Sequence, residues 1–503
     1  MSGRVLMVQG TSSSAGKSLM VAALCRIFKQ DGWRVAPFKA QNMALNSFAT
    51  RDGREIGRAQ AMQAQAAGVD VTVEMNPVLI KPEADSFAQI VVMGKPWARL
   101  PAGEYMRRRA ELWTIVTRAL DSLRAEYDLV VIEGAGSPAE LNLRRGDLVN
   151  MAIADYADAP VLLVGDIDRG GIFAQLLGTH MLLEGRERAL IKGFIVNKFR
   201  GEPRLFEDGV RIIEERSGVP VVGVMPFVHD LRIADEDSAM LDEMPRGARV
   251  DAKLDIAVVH LPHMSNFDDF DPLRAEADVS VRYVDRVEDL RQPPDLIILP
   301  GTKTTIADLS FLRARGLATR IVELAREGTA VVGICGGYQM LGAKICDPVR
   351  AESNEAQVSG LGLLPVVTTF EAEKQTVRAH GNIAVERGMF AQACGLEISG
   401  YEIHMGQSRV QGEHLVRVTA RGESAVDDAD GATDASGWIA GTYFHGLFDN
   451  DGLRDALLTN LAARKNLARS ATTRFDREAM YDHLAQVARR NLKMEIIKSW
   501  LAR

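Results

Sequence analysis

Residues 4–30 read RVLMVQGTSSSAGKSLMVAALCRIFKQ: a short apolar run, a loop of small residues, then a long run with helical periodicity. An apolar run of strand length that passes through glycine straight into a helix is the repeating unit of wound parallel sheets. The loop itself, GTSSSAGKS at Gly10–Ser18, carries chemistry. Its backbone N–H groups and the first helical turn can cradle phosphates, a lysine at the helix start reaches the outer phosphates, and the next hydroxyl can hold Mg²⁺. Gly10, Thr11, Gly16, Lys17 and Ser18 are therefore the expected ATP ligands, and Ser18 is a candidate for Mg²⁺. Five residues, not four, separate Gly10 from Gly16, so the loop is a variant of the common spacing. The alternative is a glycine-rich turn that binds nothing.

The same rhythm continues outward. Runs rich in Val, Ile and Leu at residues 34–38, 129–132, 161–164, 191–196 and 219–224 alternate with amphipathic stretches. Continuous apolar runs of this length mark strands covered on both faces, which predicts an ATP-binding α/β domain with a doubly wound, mostly parallel sheet over residues 1–229. From 230 to 252 the chain turns acidic and irregular, with Pro245 and Gly247 as breakers, and reads as a linker. Strands resume at 256–260, 296–299 and 330–334, with helical patterns at 306–313 and 317–327, so a second doubly wound α/β domain is expected over residues 253–455. Residues 423–436 are polar and read as a surface loop, and residues 456–503 as a helical C-terminal tail.

Bulk properties agree with two domains. A chain of 503 residues exceeds the size at which one core stops growing, roughly 250 to 300 residues. With 47% hydrophobic and 25% charged residues it has the material for two cores. A net charge of -7 offers no basic footprint, which argues against a nucleic-acid partner. No window reaches the ~18 apolar residues of a membrane helix, and the first apolar run is too short for a secretory signal, so a cytoplasmic protein is expected. The four cysteines form no CxxC pair, and Cys25 and Cys346, in apolar helical patterns, are expected to be small core residues.

Glu133, in IEGAGS, ends the strand at 129–132, where ligands bind in open α/β sheets, and a carboxylate there can hold Mg²⁺. A turn or capping carboxylate is the alternative. Asp166 and Asp168, in GDIDRGG, end the next strand and could serve the same metal or simply form a turn. Asn197 and Lys198 close another strand and are candidates for contact with the adenine of ATP.

Residues 330–342, AVVGICGGYQMLG, place Cys335 between a buried strand and a helix, flanked by glycines. A nucleophile on such a turn projects from a strained backbone, and the helix start favours the thiolate. Gly336 can offer a backbone N–H to an oxyanion, and the loop PGTKTT with Gly301 and Thr302 can offer a second. The base expected to activate Cys335 is His445 in GTYFHGLF, with His404 in GYEIHMG as its rival.

At these residues a resemblance becomes specific. GICGGYQ (Gly333–Gln339) resembles the cysteine elbow of the triad-type glutamine amidotransferases, with Cys335 matching the nucleophile, Gln339 the glutamine-site residue and His445 the histidine. Most members carry a glutamate two residues after that histidine; Leu447 stands there in this chain, as in the branch that amidates corrinoids. Without that carboxylate the imidazole is expected to be held by backbone or water, with slow idle turnover. Residues 1–229 resemble dethiobiotin synthetase and its relatives, whose acidic residue matches Glu133. FKAQNMALNS (38–47), DRGGIFA (168–174), NKFRG (197–201), LPHMSNFDDFDPL (261–273) and GYEIHMG (400–406) extend the resemblance to the corrinoid-amidating branch over nearly the whole chain.

That resemblance implies ATP, Mg²⁺ and L-glutamine as reactants and a small-molecule corrinoid as acceptor. The b, d, e and g carboxylates of adenosylcobyrinic acid a,c-diamide would be amidated, at one ATP per amide. Arg144, Arg145 and Arg200 could meet such a polyanion or could be solvated surface charges. Other readings are the sister enzyme that makes the a,c-diamide, whose GPDYID-like signature is absent, and a partitioning-type ATPase, which carries an early loop lysine where Thr11 stands. A noncatalytic scaffold would release no glutamate from glutamine. Oligomeric state is not legible.

Overall fold

A computed structural model describes residues 2–83, 87–228, 246–469 and 473–502. Of the stretch read as a linker, residues 230–245 lie outside the described residues.

Six strands build the sheet of the N-terminal half: β1 (Arg4–Gly10), β2 (Val35–Phe38), β3 (Leu129–Glu133), β4 (Val161–Asp166), β5 (Ile191–Phe199) and β6 (Val221–Pro226), in the order β6-β5-β4-β1-β3-β2. All neighbours run parallel, so every strand is covered on both faces and reads as a continuous apolar run. β1 lies between β4 and β3, so Asp166 and Glu133 end beside the loop that leaves β1. The helices α1 (Lys17–Gln30) and α2 (Arg58–Ala67) pack together on one side of this sheet. A small separate sheet (Gln41–Met43, Val78–Pro82, Phe87–Val92, Lys95–Pro101) extends this half toward the other.

The C-terminal half repeats the scheme with β7 (Leu254–Val259), β8 (Val279–Val284), β9 (Leu296–Leu299), β10 (Ala330–Ile334), β11 (Ala432–Thr433) and β12 (Ile439–Thr442), ordered β8-β7-β9-β10-β12-β11. The short helix α3 (Gly336–Leu341) follows β10. Between α3 and β11 the chain makes a mostly antiparallel sheet that includes the long hairpin of Val366–Ile383 and Glu397–Val410, with Lys344–Cys346 added parallel to the first of these strands.

Two expectations are corrected. Residues 423–436 are not a loop: Ser424–Asp430 pairs with Val416–Arg421, and Ala432–Thr433 pairs with β12. Ser424–Asp430 is an edge strand exposed along most of its length, and an edge wetted on both faces has no apolar alternation to betray it. Cys346 ends a short strand, Lys344–Cys346, and is partly exposed, whereas Cys25 is buried on α1 and burial pushes its thiol up.

The last residues return across the molecule. Asp451–Arg464 packs into the core of the C-terminal half, but α4 (Arg477–Asn491) and α5 (Met494–Trp500) join the N-terminal core. Tyr481, Leu484, Ala488, Leu492 and Ile497 share a cluster with Leu24, Ile27 and Phe28 of α1. Each such side chain is worth roughly 1.5–3 kcal/mol when fully buried, so the contact is substantial. Arg26 of α1 adds ion pairs to Glu478 and Asp482, both at 2.7 Å, and the Lys493 amide donates to the Val222 carbonyl at 2.7 Å.

Candidate active sites

The nucleotide-type loop is braced from the side. Gly16 has φ +96°, and a Cβ on it would lie 2.1 Å from Asn197 Nδ2, so glycine is required there. That same Nδ2 donates to the Ala15 carbonyl at 2.8 Å, and Lys198 Nζ donates to the Ser14 carbonyl at 2.8 Å while pairing with Asp166 at 3.0 Å. Asn197 and Lys198, the candidates for contact with an adenine, thus also hold the loop backbone. Lys17 Nζ curls under the loop and donates to the Ser12 and Ser13 carbonyls, both at 2.8 Å. A Cβ on Gly10 would come within 3.0 Å of the lysine Cδ, so the second glycine makes room for that stem. Thr11 Oγ1 donates to Gln175 Oε1 at 3.0 Å.

Glu133 is the hub of this site. Its Oε1 accepts from Ser18 Oγ and from Lys39 Nζ, each at 2.9 Å, and its Oε2 accepts from Gln63 at 2.5 Å and from Gln60 at 3.5 Å. Burial pushes the carboxyl up, but the Lys39 charge, the Gln63 bond and Lys17 outweigh it and hold Glu133 below its ordinary value, ionised. A cavity of about 380 Å³ opens here, lined among others by Lys17, Ser18, Lys39, Arg109 and Glu133. Among the described residues no three His, Cys, Asp or Glu side chains could cage a metal. The oxygen pair of Ser18 and Glu133 suits Mg²⁺ all the same, because that ion is commonly held by one or two carboxylates plus substrate phosphates. Asp166 and Asp168 do not join the pair: each answers a basic side chain of the β5 end, Lys198 and Arg200, and neither lines the cavity. Arg144 lies on the cavity wall, paired with Glu184 at 2.9 Å and Glu187 at 2.7 Å, and the Arg145 side chain lies outside the described residues.

The second site forms where β10 and β12 end side by side, Ile334 opposite Thr442. This register explains why residues 110 positions apart meet: Cys335 follows one strand and His445 the other. Cys335 has φ +52°, a strained value for a residue with a side chain. The glycines around it are spatial necessities, since a Cβ on Gly337 would lie 2.0 Å from the Leu299 carbonyl oxygen and one on Gly336 would lie 2.6 Å from Thr302 Cγ2. Gly336 and Thr302 therefore pack directly against each other beside Cys335, and Gly301 lies against His445 Cε1. Gln339 is fixed by Thr305 Oγ1 at 3.0 Å and donates to Tyr443 OH at 3.2 Å.

His445 lines the same pocket as Cys335, whose Sγ donates to the Ile403 carbonyl at 3.4 Å, and His445 Nδ1 lies 2.7 Å from Asp269 Oδ2. Asp269 also accepts the Gly446 amide at 2.8 Å. The expectation of a ring held only by backbone or water is thus overturned, and with it the reason given for slow idle turnover. Burial pushes His445 down, yet the charge and hydrogen bond of Asp269, aided by Cys335, push it up to about 10. His404 also lines this pocket, but its Nδ1 engages the Gly406 carbonyl at 2.8 Å and its ring stacks on Tyr443 at 3.7 Å. Sequence reading also passed over Glu352, which accepts the Ile306 amide at 3.2 Å and which burial pushes up to about 7 against the charge of Lys303.

The pocket is shared between the halves. Ser47 and Lys81 line it from the N-terminal side, and across the boundary the Asn266 amide donates to Asn46 Oδ1 at 2.6 Å while the Ser47 amide donates to Asn266 Oδ1 at 2.9 Å. Glu55 lies buried between Lys81 at 2.7 Å and Lys374 at 2.5 Å, and burial pushes Lys374 down to about 7 in spite of Glu55.

Family models match both halves: a CobQ/CobB/MinD/ParA nucleotide binding domain over residues 6–240 and a CobB/CobQ-like glutamine amidotransferase domain over residues 255–453. Among curated proteins, the cobyric acid synthase of Dehalococcoides mccartyi strain CBDB1 is 48% identical over 495 residues, covering 98% of each chain. That of Sorangium cellulosum is 51% identical over 514 residues, covering 99% of this chain and 98% of the relative. That of Roseiflexus castenholzii is 52% identical over 488 residues, covering 97% and 96%.

Proposed function

Because the chain belongs to the cobyric acid synthase family, a family of glutamine-dependent, ATP-using amidoligases, we propose that its two sites act in series on one corrinoid acceptor. The acceptor is adenosylcobyrinic acid a,c-diamide, amidated at its b, d, e and g carboxylates. In the N-terminal site a carboxylate oxygen attacks the γ-phosphorus of ATP, the bond to ADP breaks, and an acyl phosphate forms. Lys17 and the loop amides hold the transferring phosphoryl group and its developing charge. Ser18 and Glu133 would hold Mg²⁺, which when bound neutralises phosphate charge. Lys39, already on Glu133, is positioned to face the same phosphates.

In the C-terminal site the Cys335 thiolate attacks the side-chain amide carbon of glutamine, and the oxyanion is met by the backbone amides of Gly336 and Thr302. His445 gives its proton to the departing ammonia, then takes one from the water that hydrolyses the glutamyl thioester. Asp269 keeps the ring oriented and stabilises the imidazolium. Gln339 and Glu352 line the side where glutamine's polar backbone groups would rest, and Glu352 suits its ammonium group. Ammonia then displaces phosphate from the acyl phosphate. No helix among the described residues is long and apolar enough to cross a membrane, and ATP and glutamine are cytoplasmic metabolites, so we place the reaction in the cytoplasm.

The observation that supports this most is the line Asp269–His445–Cys335 opening into a pocket that the nucleotide-binding half also lines. Purified protein incubated with ATP, the a,c-diamide and [amide-¹⁵N]glutamine should transfer ¹⁵N to the corrinoid, up to four amides per molecule, by mass spectrometry. Label entering cobyrinic acid but not its a,c-diamide would assign the sister reaction instead.

A further inference from the structure

Arg58 opens helix α2 in the nucleotide-binding half, yet its side chain serves the other half. Its Nε lies 2.5 Å from Asp268 Oδ2, and neither side chain is more than 7% exposed. Asp268 immediately precedes Asp269, the carboxylate on His445. The same guanidinium lies over the ring of Phe48 at 4.9 Å, Phe48 meets Tyr401 edge-on at 4.8 Å, and Tyr401 stacks on His445 at 5.3 Å. Two lines of contact therefore run from Arg58 to one imidazole, the first through charge and the second through rings.

We propose that Arg58 is a positioning residue for the glutaminase base: it balances Asp268 so that Asp269 stays an anion facing His445, and it clamps the Phe48–Tyr401 stack that sets the ring plane. The inference rests on the Cys335–His445 reading given above.

The electrostatics of the turn require such a cation. Asp268, Asp269 and Asp271 crowd one turn, Asp449 approaches from beside the His445 strand, and Arg58, Arg274 and Arg477 of α4 face them, along with the phenols of Tyr283, Tyr401 and Tyr481. Burial lifts Asp269 above its ordinary value, His445 pulls it back, and the Asp268 charge lifts it again. At Asp268 burial is outweighed by Arg58, which holds that carboxyl below its ordinary value. Without Arg58, two adjacent buried carboxylates compete for one imidazolium, and the pair takes up a proton at higher pH. Asp269 must be ionised to hold His445, so the pH at which glutaminase switches on rises. α2 also carries Gln60 and Gln63, the amides on Glu133, so both sites are anchored to one helix of ten residues.

The test compares wild type, Arg58→Gln, Arg58→Lys and the double variant Arg58→Gln/Asp268→Asn, measuring glutamine hydrolysis across pH and amidation with ammonium chloride as donor. Arg58→Gln should lose roughly tenfold or more in kcat/KM for glutamine near neutral pH. Its acid limb should move up by about one pH unit. Ammonia-dependent amidation should stay near wild type. Arg58→Lys, which keeps the charge, and the double variant, which removes the charge to be balanced, should both restore the acid limb. A wild-type acid limb in Arg58→Gln, or equal loss with glutamine and ammonia, overturns the assignment. If Arg58→Gln does not fold, the double variant decides: an upward-shifted acid limb there overturns it. A wild type unable to hydrolyse glutamine would instead remove the Cys335–His445 reading on which it rests.

Discussion

His445 Nδ1 and Asp269 Oδ2 lie 2.7 Å apart, although 176 residues separate them in the chain. The pair gives the imidazole a buried counter-charge where the more usual glutamate position holds Leu447, itself fully buried. Replacing Asp269 by Asn keeps the shape but removes the charge. Glutamine hydrolysis should fall roughly 10²–10⁴-fold while ammonia-dependent amidation persists. Steady-state assays with the two nitrogen donors check this.

The same pairing has a stability signature. His445 is pushed from 6.5 up to about 10 in the folded state, so its contribution is full below pH 6.5 and fades as pH rises toward 10. Urea midpoints between pH 6 and 10 should decline more steeply for wild type than for Asp269→Asn. Parallel curves would show that the pair does not carry this charge.

Cys335→Ala should abolish glutamine-dependent amidation and leave synthesis from high ammonia, because carboxylate activation sits in the other half. Equal loss with both donors would contradict two separable sites.

Lys17→Ala should remove amidation with either donor, since the outer phosphates lose their cation. Glu133→Gln should do nearly the same, for it loses the charge that Lys39 and Ser18 surround. Full ammonia-dependent activity in Lys17→Ala would refute the phosphate cradle.

His445→Ala should end glutamine hydrolysis, whereas His404→Ala should keep a clear fraction. His404 spends its Nδ1 on the Gly406 carbonyl and stacks on Tyr443, a wall of the pocket and not its base. The reverse pattern in a glutamate-release assay would exchange the two roles.

What could be read in the sequence was what is contiguous in it. The loop Gly10–Ser18 and the elbow at Cys335 place strand, glycines and helix within a dozen residues, so sterics and chemistry show together. Asp269 stood inside a quoted motif, NFDDFDPL, but nothing local tells which of its carboxylates turns toward a histidine brought up by a different strand. Arg58 is harder still, an arginine at a helix start whose partner lies 210 residues away. The edge strand Ser424–Asp430 was missed for another reason: its polarity is what its two wet faces require.

Helices α4 and α5 close a core that α1 opens. Translation delivers α1 first and its cover last, about 250 residues after β6 has emerged, which at about 5–20 residues per second means roughly 13–50 s. For that interval the apolar face of α1 that receives Tyr481, Leu484 and Ala488 stands bare on a nascent chain whose sheet is already made. Removing the residues from Arg477 onward would make that exposure permanent, and the shortened chain would stick to its neighbours.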